Sequence, residues 1–89
     1  MPTVHLTIEG KVQGVFYRAT AKDVAEEIGV TGWVKNTYEG NVEIVATGTE
    51  EQLRKLIDWC RIGPKRAVVK NLTIDNKSEE FFKTFEIRK

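Results

Sequence analysis

The chain predicts an α+β fold, a β-α-β-β-α-β order plus a short C-terminal strand, with two helices on one face of a mostly antiparallel sheet. Three observations carry this. Short runs alternate apolar and polar residues, while two longer runs place apolar residues at i, i+3, i+4 and i+7. Each helical run has a single apolar stripe, so both helices can cover the same sheet face and leave the other wetter. Turn formers such as Gly29, Gly40 and Gly63-Pro64 fall between the runs.

The elements follow in order. Thr3–Glu9 alternates strictly, with Val4, Leu6 and Ile8 on one side, and reads as the first strand. A loop through Gly10 and Gly14 leads into a helix over Tyr17–Ile28, whose stripe is Ala21, Val24, Ala25 and Ile28; Gly29 is placed as its left-handed C-terminal residue. Gly32-Trp33-Val34-Lys35-Asn36 begins the second strand, Thr37–Gly40 is a hairpin connection, and Val42, Ile44 and Ala46 mark the third strand. Thr49 and Gln52 form a capping box, with Glu50 and Glu51 favourable in the first turn. Leu53, Leu56, Ile57 and Cys60 then repeat the helical stripe, and Gly63-Pro64 ends it. A fourth strand near Val68–Asp75 is less regular, because Lys70 interrupts Val68, Leu72 and Ile74. After the polar turn Asn76–Glu80, Phe85 and Ile87 mark the last short strand. Right-handed crossovers turn this order into a ferredoxin-like split β-α-β sandwich, a fold that settles nothing about chemistry.

Composition narrows the functional classes. With 89 residues and no repeat or linker, residues 1–89 read as a single domain. Fourteen basic and thirteen acidic residues leave a net charge of +1, which makes no electrostatic case for nucleic acid or an anionic membrane. One cysteine excludes an intrachain disulfide and fits a reducing compartment. There is no transmembrane-length apolar run and no signal-peptide h-region, so a cytoplasmic protein is expected, with a monomer as the default.

The stretch Gly10-Lys11-Val12-Gln13-Gly14-Val15-Phe16-Tyr17-Arg18 holds the chemistry. A glycine-bounded turn from strand to helix points successive N–H groups into one concavity at a helix N-terminus, where an anion can sit. Arg18 adds a planar fork that grips a phosphate through two oxygens. The glycine spacing is neither a Walker A loop nor a dinucleotide fingerprint. The loop alone leaves phosphate binding and a plain surface turn both open.

A second cluster, Gly32-Trp33-Val34-Lys35-Asn36 followed by Gly40, Val42 and Gly48, puts an uncharged amide at the end of strand two, within reach of the corner that holds Arg18. Together the two stretches resemble the acylphosphatase family over nearly the whole chain. Ile8-x-Gly10-x-Val12-Gln13-Gly14-Val15-x-Tyr17-Arg18 is similar to that family's first signature, and Gly32 through Gly48 to its second. Gly63-Pro64 before strand four also looks like the family. Tyr17 stands where the pattern usually has phenylalanine, so its hydroxyl needs a partner or solvent.

The resemblance implies hydrolysis of acyl phosphates to a carboxylate and inorganic phosphate, without metal or other cofactor. It implies that Arg18 and the backbone N–H groups of Gly14, Val15, Phe16, Tyr17 and Arg18 hold the phosphoryl oxygens, and that Asn36 positions the attacking water. Inorganic phosphate would then be product and competitive inhibitor. A carboxylate is a good leaving group, and a loose phosphoryl-transfer transition state mainly needs positioning and charge stabilisation, so no catalytic His, Asp or Cys is required.

Other reactive residues are weaker candidates. His5 is the only histidine, on the strand face opposite Val4 and Leu6. Trp33 and Trp59 read as packing residues, and Asp23, Glu26 and Glu27 as a solvated helix face. Cys60 through Arg66 spells Cys-x-x-Gly-x-x-Arg, the spacing of a cysteine-dependent phosphatase loop. Here, however, the cysteine ends a helix, completes an apolar stripe and is followed by Pro64, which removes an N–H donor. The alternative function is a non-catalytic module of the same architecture. An RNA-binding version would need aromatic residues on strands one and three, which have none.

Overall fold

The computed structural model describes residues 1–89. Alternation along the chain forms β1 (Thr3–Lys11), β2 (Thr31–Asn36), β3 (Val42–Thr47), β4 (Val68–Lys77) and β5 (Phe85–Arg88), and the two striped runs form α1 (Tyr17–Ile28) and α2 (Glu50–Ile62). The sheet order is β4-β1-β3-β2-β5; β1 pairs antiparallel with β3 and β4, β2 antiparallel with β3, and β2 parallel with β5. This is the ferredoxin-like arrangement, with both helices packed against the sheet.

Register aligns the apolar positions. Leu6 lies opposite Ile44, which lies opposite Val34, and Ile8 lies opposite Val42. These residues, with Val4, Ala46 and Phe85, meet Tyr17, Ala21 and Ala25 of α1 and Leu53, Leu56 and Cys60 of α2 in one buried core. The helix ends are set locally. Gly29 closes α1 in the left-handed conformation, and Thr49 and Gln52 exchange side-chain and backbone bonds in a complete capping box on α2.

The long strands differ from the expectation. β1 runs two residues beyond Glu9, because a bulge between Glu9 and Gly10 lets its end keep pairing with Val68 and Val69 of β4. Gly10 has φ 131, and a Cβ there would collide with the Val68 carbonyl oxygen, so only glycine fits the crossing. β4 continues to Lys77 and, as an edge strand, leaves Val68 and Ile74 exposed.

The outer sheet face is less wet than the alternation implies. Val45 is buried there, between Trp33 and His5 in register. Trp33 therefore packs on this face and not in the helix-covered core, and it carries the Lys35 ammonium and Arg88 guanidinium at 5.6 and 5.0 Å from its ring centroid. His5 Nε2 lies 2.6 Å from Glu43 Oε2 on the same face.

Candidate active site

Beyond the bulge, residues 12–16 alternate between core and surface. Val12 and Val15 are buried and pin the loop to the core, while Gly14 and Phe16 face a cavity. Gly14 has φ 73 and Phe16 has φ 65, whereas Val15 between them is not in the positive-φ region. Alternation of this kind can turn consecutive amides toward one point, the geometry of an anion-binding nest. Neither a backbone carbonyl nor a side chain accepts from the N–H groups of residues 12–16, and no side chain caps α1. The Phe16 carbonyl, in contrast, accepts from the Thr20 N–H and hydroxyl at 3.1 and 2.8 Å. The Phe16 carbonyl faces the helix, while the loop N–H groups are without an acceptor from the protein.

Phe16 is the only non-glycine residue with positive φ. For a bulky side chain that conformation costs about 1–3 kcal/mol, a strain that collects at functional sites.

Tyr17 turns the other way. Its ring is buried 5.2 Å from the Trp59 ring, and its hydroxyl donates to the Cys60 carbonyl at 2.8 Å. That carbonyl would normally accept from the residue four further on in a helix, and residue 64 is proline, which has no N–H. The hydroxyl thus supplies the bond that the backbone lacks, which accounts for tyrosine at this position. Burial, with Cys60 as a lesser cause, pushes the phenol far above its ordinary value, so it stays protonated.

Arg18, in the first turn of α1, has no carboxylate within salt-bridge distance; the six ion pairs of the chain all lie elsewhere. Asn36 ends β2 on the same side as buried Val34, and its side-chain Oδ1 is buried without a hydrogen-bond partner. A buried amide oxygen left unpaired is costly unless something else satisfies it.

Arg18 and Asn36 meet at one cavity of about 330 Å³, with Gly14, Phe16, Tyr17 and Val12 around the loop side and Ala19 and Ile87 completing the wall. Of the expected site residues, only Val15 does not line the cavity; its side chain, like that of Tyr17, is in the core, so at these two positions the backbone alone can serve a ligand. A larger hollow of about 540 Å³ lies near Thr47, Phe81 and Phe82, and none of the expected residues lines it.

Two contributors were not assigned from the sequence. Gln13 Nε2 donates to the carbonyls of Thr37 and Asn41 at 2.9 and 2.8 Å, tying the loop to the hairpin turn that follows Asn36. A glutamine between two loop glycines is a signal, but its acceptors lie 24 and 28 residues away. Ile87 reaches the cavity only because β5 pairs parallel with β2, which nothing local announces.

Cys60 is not part of this site. It is buried in the last turn of α2, and burial pushes its thiol up to about 12, so no thiolate is present near neutral pH. No group of three or more His, Cys, Asp or Glu side chains is clustered as metal ligands would be.

A family model described as Acylphosphatase matches residues 4–87. An acylphosphatase from Marinobacter nauticus is 57% identical over 65 residues, which cover 73% of this chain and 71% of that protein. The structure of an acylphosphatase from Coxiella burnetii aligns with a TM-score of 0.94 at 40% identity over 98% of this chain and 92% of that one. The crystal structure of acylphosphatase from Bacillus subtilis gives a TM-score of 0.97 at 30% identity, with 100% of each chain covered.

Proposed function

The chain belongs to the acylphosphatase family, and we propose which of its residues carry out the reaction. As an acylphosphatase it hydrolyses acyl phosphates, releasing a carboxylate and inorganic phosphate. In this reading residues 1–89 act as one domain and as a monomer. The unpaired thiol of Cys60 fits a reducing, cytoplasmic setting.

In this reading the phosphoryl group sits in the nest, its oxygens held by the N–H groups of Gly14, Val15, Phe16, Tyr17 and Arg18 and by the Arg18 guanidinium. Asn36 holds the attacking water through its amide, which offers both a donor and an acceptor. The water oxygen attacks phosphorus as the bond to the carboxyl oxygen breaks. The electron pair leaves on the carboxylate, and the water's proton passes to a phosphoryl oxygen. Arg18 and the loop amides stabilise the charge on the transferring group, and because the leaving group is a weak base, no acid is needed behind it. Inorganic phosphate fits the same nest and competes with substrate.

The observation that carries the assignment is the convergence of Arg18 and Asn36, with its unpartnered amide oxygen, on the cavity beside the unpaired loop N–H groups. The test is benzoyl phosphate hydrolysis, with and without chelator, in wild type, Arg18→Ala and Arg18→Lys. Both variants should lose roughly 10²–10³-fold in kcat, the effect of removing one preorganised donor to developing charge, because lysine keeps the charge but not the fork. Phosphate inhibition should weaken in parallel, and chelator should change nothing. A folded Arg18→Ala protein with ordinary turnover would refute the assignment.

A further inference from the structure

The cavity is lined by two kinds of group. One is polar: Arg18, the Asn36 amide and the loop N–H groups, which hold the phosphoryl group and water in the function proposed above. The other contains Phe16, Ala19 and Ile87 and no carboxylate.

Neither Phe16 nor Ile87 is explained by folding. Phe16 leaves 75% of its surface exposed. Its φ of 65 is a conformation that glycine or asparagine adopts with far less strain, and the nest requires only the backbone there. A bulky ring stands where the backbone disfavours it and where it packs against little of the protein. Ile87 sits on the same side of β5 as Phe85 and lies opposite Val34 in register. Phe85 and Val34 are buried, yet Ile87 remains 42% exposed at the cavity. Two large, exposed apolar side chains thus share the cavity with Arg18 and Asn36.

We infer that Phe16 and Ile87 form the acyl-binding wall, so that this acylphosphatase selects acyl phosphates with an aromatic or extended apolar acyl group over those with a small or anionic one. The inference rests on the phosphate position proposed above. An apolar acyl group lies against the ring and the isoleucine and removes both from water. A short acyl group reaches neither, and an anionic one would lose hydration against an apolar surface. These contacts are remote from the breaking bond and are made equally in the ground and transition states. Their loss therefore raises KM and leaves kcat near its original value.

The experiment compares kcat/KM for benzoyl phosphate with that for acetyl phosphate in wild type, Phe16→Gly, Phe16→Leu and Ile87→Ala. Comparing each variant with wild type for one substrate at a time cancels the difference in intrinsic reactivity. Phe16→Gly and Ile87→Ala should each lower the benzoyl value by roughly tenfold, the scale of one lost aromatic contact, mainly through KM. In Ile87→Ala, acetyl phosphate turnover and phosphate inhibition should stay within about twofold, because Ile87 takes no part in holding the phosphate. Phe16→Leu should retain most of the benzoyl preference. Glycine accepts φ 65, so Phe16→Gly should remain folded, which a thermal melt confirms. An unchanged benzoyl-to-acetyl ratio in both Phe16→Gly and Ile87→Ala, or an equal fall for the two substrates in Ile87→Ala, would overturn the inference. Failure of the catalytic reading would appear separately, as ordinary turnover in Arg18→Ala.

Discussion

Replacing Gln13 with alanine should damage turnover more than it damages the fold. The side chain contributes two hydrogen bonds, at 2.9 and 2.8 Å, from Nε2 to the carbonyls of Thr37 and Asn41. Neither carbonyl is orphaned by the change. Thr37 O still accepts from the Gly40 N–H, and Asn41 O from the Thr37 N–H. The loss is therefore two ordinary bonds without a desolvation penalty on the acceptors, about 1–2 kcal/mol in total. For a domain of this size each kcal/mol lowers Tm by about 4–8 °C, so the variant remains folded at assay temperature. The functional effect comes from geometry. Gln13 joins the loop whose amides are proposed to bind phosphate to the turn that begins one residue after Asn36. Without that tie, nest and amide are held in register only through the sheet, and a displacement of about 1 Å costs on the order of 10²-fold in rate. We expect kcat for benzoyl phosphate to fall roughly 10- to 100-fold, with inhibition by phosphate within a fewfold of wild type because the nest and Arg18 remain. Turnover, phosphate Ki and a thermal melt on one preparation decide the matter. A lower Tm with unchanged kcat would make Gln13 a purely structural tie. A phosphate Ki that rises as steeply as kcat falls would place it in the phosphate cradle instead.

Three further outcomes are expected. Asn36→Ala should lower kcat by roughly 10²-fold while leaving phosphate inhibition largely intact. Because its Oδ1 is buried without a partner, Tm should hold or rise; weakened phosphate inhibition with kcat unmoved would refute the water-positioning role. Tyr17→Phe leaves the Cys60 carbonyl with neither the hydroxyl nor a backbone donor at Pro64, so it should destabilise by about 1–3 kcal/mol with near-normal turnover, and an unchanged Tm would refute this. Glu43 faces His5 of β1 and Lys35 of β2, with Asp75 of β4 at 3.9 Å on the far side of His5. Burial alone would raise the Glu43 carboxyl, but His5 and then Lys35 hold it below its ordinary value of 4.5. The unfolded chain therefore binds the proton first as pH falls, and the stability Glu43 contributes is present above 4.5 and lost as pH drops through the lower folded value. Denaturation of Glu43→Gln across acid pH should show a shallower loss of stability than wild type; an identical slope would rule this contribution out.

How much of the molecule could be read beforehand depends on the reach of each interaction. Both helices were legible to their ends, because stripe, capping box and Gly29 all act within a few residues. Arg18 and the glycine loop were legible for the same reason, since a nest and a helix N-terminus are made by neighbours in sequence. Asn36 could be associated with Arg18 only through the inferred sheet order and the family resemblance. Gln13 lay within the motif, yet its role was hidden, because one side chain cannot reveal which carbonyls it will meet on a hairpin two elements later.

The residues by themselves determined the element order, most core positions and a glycine-bounded loop at a helix N-terminus, since periodicity, capping and turn chemistry are short-range preferences of the chain. Only the tertiary structure decided where those parts meet. It extended β1 through the Gly10 bulge against β4, buried Val45 on the outer face, and gave the Tyr17 hydroxyl to a carbonyl that Pro64 leaves without a donor. It also brought Ile87 from the last strand to the cavity that Arg18 and Asn36 share. Each of these depends on strand pairing between distant segments, a cooperative outcome of burying the whole core at once, and no local stretch carries the information to specify it.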